Sequence, residues 1–314
     1  MKKNKFNKKT LMLTIGLLIC FIFLFSWLSL LKIPKATSYL GADINQTLNT
    51  TVNITNAQPE VRTVAMDSPI DLEAYGNRTV YCNTTVFDWD NDTLTVNASF
   101  YIEGLTDPFS SVDNNNKYDN VTCTRTSPQD REMNYTCTVD MTYYTDNSSQ
   151  WRCNVTAKDD DNATHTNVSD YAVINPLTAI YVPGVLDFGE LAVNDISDDK
   201  LANITNAGNR NISIYVEGWG AEKGDGLAMN CSYGSIDSSY ERYNHTQSGL
   251  SWETELKEVT NESVRIDGFT VFHRFDDSSS SGSTNSTYWK LKIPAFAGGI
   301  CNGKILFTAE DDGT

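Results

Sequence analysis

Nineteen Asn-x-Ser/Thr triplets punctuate this chain, and the spacing inside them constrains the fold more than any other feature. In an extended strand, side chains alternate between two faces. The Asn and the hydroxyl residue of a triplet then point one way and the middle residue points the other. Here the middle residue is repeatedly apolar, as in Asn53-Ile54-Thr55, Asn97-Ala98-Ser99, Asn120-Val121-Thr122, Asn154-Val155-Thr156, Asn203-Ile204-Thr205 and Asn211-Ile212-Ser213. Reading outward gives four inward sets: Val80/Cys82/Thr84/Val86, Leu94/Val96/Ala98/Phe100/Ile102, Tyr135/Cys137/Val139/Met141 and Trp151/Cys153/Val155/Ala157. No comparable helical period follows residue 31, so the body is expected to be all-β.

The triplets also read as N-linked glycan acceptors. Beyond residue 35 the chain has 28 Asn, of which 19 begin a triplet; its Ser and Thr content would place only about six there by chance. The expected acceptors are Asn45, Asn49, Asn53, Asn77, Asn83, Asn91, Asn97, Asn120, Asn134, Asn147, Asn154, Asn162, Asn167, Asn203, Asn211, Asn230, Asn244, Asn261 and Asn285.

The N-terminus sets the compartment. Residues 2–9 (KKNKFNKK) are basic and residues 10–31 form one apolar run. At 1.5 Å per residue that run spans about 33 Å, enough to cross a bilayer core. The Lys cluster is expected to stay cytoplasmic and send the rest outward. Residues 1–38 therefore read as a signal peptide cleaved near Ala36-Thr37-Ser38, or as an uncleaved signal anchor. Membrane contact is expected only through residues 10–31, and only if they are retained. The first 35 residues hold seven Lys and no acid, so the chain's formal −16 becomes −23 for the remainder. A body that acidic repels phosphate backbones, which argues against a nucleic-acid partner.

Of seven Cys, Cys20 lies in the apolar run and six lie outside it. In an oxidising compartment six read as three disulfides. Four fall in 82–153 and two in 231–301, so pairing within each half leaves three arrangements. The favoured one is Cys82–Cys153, Cys123–Cys137 and Cys231–Cys301. Its first bond pins two inward strand positions across a sandwich, and its second staples strands around Ser127-Pro128-Gln129-Asp130. A boundary is expected near Asn175-Pro176. The resulting segments are 1–38, a polar glycosylated leader strand over 39–57, a first sandwich over 58–176 and a second over 177–314. The stretch 276–287 reads as a loop between strands.

The run VYCNTTVFDWDNDTLTVNASFYI, with WRCNVTAKDDDNATHTN, resembles immunoglobulin-like and polycystic-kidney-disease-type (PKD-like) domains over roughly residues 60–176. Those families carry an aspartate-rich turn after one core strand and a V-T-A-x-D turn near the end; Cys123 and Cys137 depart from their pattern. The stretch LDFGELAVNDISDDKLANITNAGNRNISIYVEGWG is similar to an Ig-like group with an L-x-F-G … N-x-G-N signature, and to subunits of bacterial biofilm fibres and archaeal pili. With the triplet density, the whole looks like a secreted surface protein of an archaeon. The resemblance implies Ig-like sandwiches serving as binding or structural modules.

Chemistry is sparse. Asp88 follows Cys82 by six residues and Asp159 follows Cys153 by six. If those cysteines are bonded and their strands run alike, Asp88, Asp90 and Asp92 emerge beside Asp159, Asp160 and Asp161. Converging carboxylates suit Ca²⁺, which takes six to eight oxygens; ordinary Asx-rich turns are the alternative. Asp195, Asp198 and Asp199 form a second acidic stretch without a spacing argument. His165, His245 and His273 pair with no candidate nucleophile, and there is no H-E-x-x-H, G-x-S-x-G or P-loop. No cofactor beyond Ca²⁺ is implied.

The expected role is non-enzymatic: a heavily N-glycosylated extracellular surface protein, structural or adhesive in the cell envelope. Its partners would be other envelope proteins or copies of itself, met through the triplet-poor stretches 178–201 and 288–310. One alternative is a filament subunit assembled by β-augmentation through residues 40–56. Another is an extracellular solute-binding module.

Overall fold

The computed structural model describes residues 47–313, except 107, 109–111, 183 and 276–279. The apolar run 10–31, the cleavage region 36–38, Cys20 and Asn45 lie outside the described residues. Among the described residues no helix is long and apolar enough to cross a membrane.

Alternation becomes strand in the first region. Seven strands, β1 (Glu60–Met66), β2 (Asn77–Phe87), β3 (Thr95–Ile102), β4 (Lys117–Arg125), β5 (Glu132–Thr142), β6 (Trp151–Lys158) and β7 (Thr164–Val168), pair antiparallel. Their order is β1-β2-β5-β4-β3-β6-β7. Strand β4 links the two halves of this sheet. Its early residues pair with β3, as in Asn97↔Thr122, and its late residues pair with β5, as in Cys123↔Cys137. The two outer strands meet through side chains: the Val61 amide of β1 donates to His165 Nδ1 of β7 at 3.0 Å, and Asn167 Nδ2 donates to the Val61 carbonyl at 3.0 Å. Inward positions Val80, Cys82, Val86, Val96, Phe100, Tyr135, Met141, Trp151 and Val155 are all buried in one apolar cluster. The Cys82–Cys153 disulfide joins β2 to β6, which are not neighbours in the sheet, with a Cα–Cα distance of 6.5 Å.

The second region carries shorter strands in three antiparallel sheets. Its strands are β8 (Ile180–Tyr181), β9 (Lys200–Asn206), β10 (Ile212–Trp219), β11 (Leu227–Tyr233), β12 (Ser235–Asp237), β13 (Glu241–Asn244), β14 (Lys257–Glu258), β15 (Val264–Val271), β16 (Thr284–Leu291), β17 (Gly298–Asn302) and β18 (Lys304–Asp311). They form β15-β10-β18, β12-β11-β17 and β14-β13-β16-β9-β8. A separate cluster of buried side chains, including Ile204, Ile212, Ile214, Phe269 and Trp289, fills this region. Its disulfide, Cys231–Cys301, bridges directly paired residues of β11 and β17. Cys123–Cys137 likewise bridges directly paired residues of β4 and β5.

Polar side chains tie the two regions together. The buried Asn209 donates through Nδ2 to the Thr145 carbonyl at 2.9 Å, while its Oδ1 accepts from the Leu177 amide at 2.6 Å. Asn115 Nδ2 donates to the Arg274 carbonyl at 2.6 Å.

The leader departs from expectation. Residues 47–59 join no sheet, and Leu48, Val52 and Ile54 lie exposed. A lone strand leaves its backbone groups to water and has no face to bury, so strand-prone composition alone does not hold it.

Candidate metal centre

Two turns at one end of the first region carry the acidic residues. Register explains their meeting: Thr95, opening β3, pairs with Lys158, closing β6. The loop before β3 and the loop after β6 therefore leave the sheet side by side. Each contains an Asn with a left-handed backbone, Asn91 at φ 61° and Asn162 at φ 73°. Asn tolerates that conformation better than most residues, which lets both turns reverse tightly.

The carboxylates cluster as two overlapping groups. Ligand oxygens of Asp88, Asp90 and Asp92 lie within 4.8 Å of one another, as do those of Asp92, Asp160 and Asp161, so Asp92 belongs to both. Asp88 is fully buried. Its Oδ2 accepts from the Asp92 amide at 3.0 Å, whereas its buried Oδ1 has no hydrogen-bond partner. Asp159 is also buried, with Oδ1 accepting from the Ala163 amide at 2.7 Å.

A third segment, with no period or motif of its own, joins them. Asn56 Nδ2 donates to Asp159 Oδ2 at 3.3 Å and the Ala57 amide donates to Asp90 Oδ2 at 2.6 Å. Asn56 Oδ1 is buried without a partner. Gln58 continues the contact by donating to the Thr164 carbonyl.

Crowding of like charge shifts these acids. Burial first, and the neighbouring Asp90 second, push Asp88 up to about 6. Asp90 is held below the usual carboxylate range, chiefly by the neighbouring Asp88 side chain. Asp92 is raised by desolvation and then by Asp90, Asp160, Asp161 and Asp159. Among the described residues none of the six forms an ion pair with Lys, Arg or His.

The other acidic stretch does not assemble. Asp195 Oδ2 caps its own turn by accepting from the Ala192 amide, and Asp199 accepts from the Gly249 amide and lies 3.7 Å from Lys290 Nζ. The histidines are spread apart: His165 braces β1, His245 packs edge-on to Phe269, and His273 lies 3.4 Å from Asp146.

Acceptor asparagines fall mostly on outer faces. Of the eighteen described, twelve are exposed, five are half-buried and Asn244 is buried. Asn244 has its Oδ1 accepting from the amides of Thr246 and Gln247, and its Nδ2, the atom a glycan would need, is enclosed. The triplet-poor stretches 178–201 and 288–310 converge on a cleft of about 740 Å³, lined among others by Val185, Phe188, Glu190, Ile293 and Ile300.

No protein-family model matches the chain, and no curated protein matches it. Among solved structures it is similar to a chaperone–tip adhesin complex of CFA/I fimbriae, at 10% identity and TM-score 0.27, over 84% of this chain and 88% of that one. A protein from Corynebacterium diphtheriae described as membrane anchored matches at 14% identity and TM-score 0.22, over 79% of this chain and 54% of that one. A chicken TCR matches at 10% identity and TM-score 0.21, over 79% of this chain and 99% of that one. Likenesses this loose carry no functional conclusion. The three disulfides fit a chain that folds in an oxidising, extracytoplasmic compartment.

Proposed function

We propose that this chain is a non-enzymatic, heavily N-glycosylated extracellular surface protein, structural or adhesive in the cell envelope. One observation carries the reading: twelve of eighteen described acceptor asparagines are exposed, while strand neighbours such as Ala98, Val155, Ile204 and Ile212 line the cores. Sugar on those faces would shield strand edges and surfaces as charge does elsewhere. Protein contact would then fall to the triplet-free cleft, where Val185 and Ile300 are strongly exposed. The partners are other envelope proteins or further copies of the chain.

A filament is the second reading, and the leader favours it. Leu48, Thr50, Val52 and Ile54 alternate with Asn49, Thr51, Asn53 and Thr55, a strand pattern with one apolar and one glycan-bearing face. Strand β18 has an open edge that could receive such a strand from a second copy.

Light scattering of the glycoprotein after size exclusion separates the two readings. A mass of one glycosylated chain at micromolar concentration supports display. A large polydisperse mass that disappears on deleting residues 40–56 supports the filament. Failure of intact cells to present the chain to surface biotinylation overturns both.

A further inference from the structure

We propose that the paired loops 88–92 and 159–161 form a Ca²⁺ site in which the buried, unpartnered Asp88 Oδ1 and the shared Asp92 carboxylate are ligands, and which also fastens residues 56 and 57. The inference goes beyond the surface-protein reading and does not depend on it.

A buried carboxylate oxygen without a donor is costly unless something fills its lone pairs. Asp88 is fully buried, its Oδ2 is occupied by the Asp92 amide, and its Oδ1 has no partner. Among the described residues no Lys or Arg forms an ion pair with it. Each group's oxygens lie within 4.8 Å of one another. Oxygens bound about 2.4 Å from one Ca²⁺ are at most about twice that far apart, so this spread suits the ion. The ligand chemistry is hard oxygen throughout. No sulfur or imidazole belongs to either group, which disfavours zinc and copper.

Asn56 supplies an independent clue. Its Oδ1 is a second buried oxygen without a partner, on the side chain that bonds Asp159. Ala57 bonds Asp90. The ion would therefore gather oxygens from three segments far apart in sequence: the entry to β1, the β2–β3 loop and the β6–β7 loop. Mutual repulsion among the aspartates keeps this assembly under tension without a cation, and a divalent ion converts repulsion into a tie.

Trp89, 62% exposed, sits between Asp88 and Asp90 in sequence and gives the test its probe. The full-length glycoprotein is stripped with chelator, then titrated with Ca²⁺ by calorimetry and with Tb³⁺ while Trp89 is excited. Saturable binding is expected, with a Kd on the order of 10⁻⁴–10⁻³ M for an extracellular module. Saturating Ca²⁺ should raise Tm by several degrees, with Mg²⁺ giving a smaller rise and NaCl at matched ionic strength none. Asp92→Asn and Asp88→Asn should each abolish the Ca²⁺-dependent rise and the Tb³⁺ emission. Asp88→Asn should also raise the Tm of the metal-free protein, because it removes a buried unpaired charge, which distinguishes lost binding from lost folding. Asp195→Asn should bind like the parent. An unchanged Ca²⁺ shift in Asp92→Asn, a shift reproduced by NaCl, or no saturable binding at all overturns the proposal.

Discussion

The two long-range disulfides close loops of nearly equal size, 71 and 70 residues, yet they occupy opposite settings. Cys82 and Cys153 are wholly buried and join non-adjacent strands through the middle of the first core. Cys231 and Cys301 are only half-buried and join strands that already pair. Chain entropy alone assigns both about 4 kcal/mol. Any difference between them therefore measures what core burial adds. The lesson is that loop length sets the unfolded-state contribution, while position in the fold sets the native one.

Removing each bond tests that contrast. Replacing Cys82 and Cys153 by Ala should cost about 4 kcal/mol plus a cavity penalty, and the protein should unfold at low urea. Replacing Cys231 and Cys301 should cost about 4 kcal/mol with no cavity penalty. Equal urea midpoints for the two double variants would show that burial adds nothing.

The regions differ next in how they bury charge. In the first, the enclosed Lys117 amine lies 3.4 Å from Asp119. In the second, Glu241 is buried and desolvation pushes it up from 4.5 to about 8. Below about pH 4.5 both folded and unfolded chains hold that proton, and burial carries no ionisation penalty. Between about 4.5 and 8 the unfolded chain releases the proton while the folded one keeps it, so stability falls as pH rises. Above 8 the loss is complete. At about 1.4 kcal/mol per pKa unit the total is several kcal/mol. Glu241→Gln should flatten Tm against pH between 4.5 and 8 and stabilise the protein at pH 8; a profile unchanged from the parent would refute the assignment to Glu241.

Asn209 couples the regions, and its effect should be smaller. Asn209→Ala leaves the Thr145 carbonyl and the Leu177 amide without their partner, a cost of about 1–3 kcal/mol. Its calorimetric endotherm should broaden or split as the two cores lose their tie. A single sharp transition at the parent Tm would show that the link is dispensable.

Much of the first region could be read from alternation. The sets around Cys82, Phe100, Cys137 and Cys153 point inward because every second residue there is apolar. Cys82–Cys153 joins two of those inward positions, and Cys123–Cys137 staples strands on either side of the turn at 127–130. The meeting of the acidic loops was legible in the equal offsets of Asp88 and Asp159 from their cysteines. What escaped was non-local. Asn56 reaches the acidic loops from a segment without any period, and β4 changes partners midway along its length. In ERYN, Glu241 shares the buried face with Tyr243, a placement that a charged side chain does not announce. The triplet at Asn244 carries no mark of burial, since a local turn rather than strand pairing captures its side-chain oxygen.

Glycopeptide mapping of the native protein tests the central claim most directly. Occupied sites should include the exposed Asn77, Asn83, Asn97, Asn134 and Asn203 on the strands, and Asn244 should be bare. Unmodified asparagines at all the exposed triplets would contradict a sugar-coated surface protein, and a glycan on Asn244 would contradict its buried place in the fold.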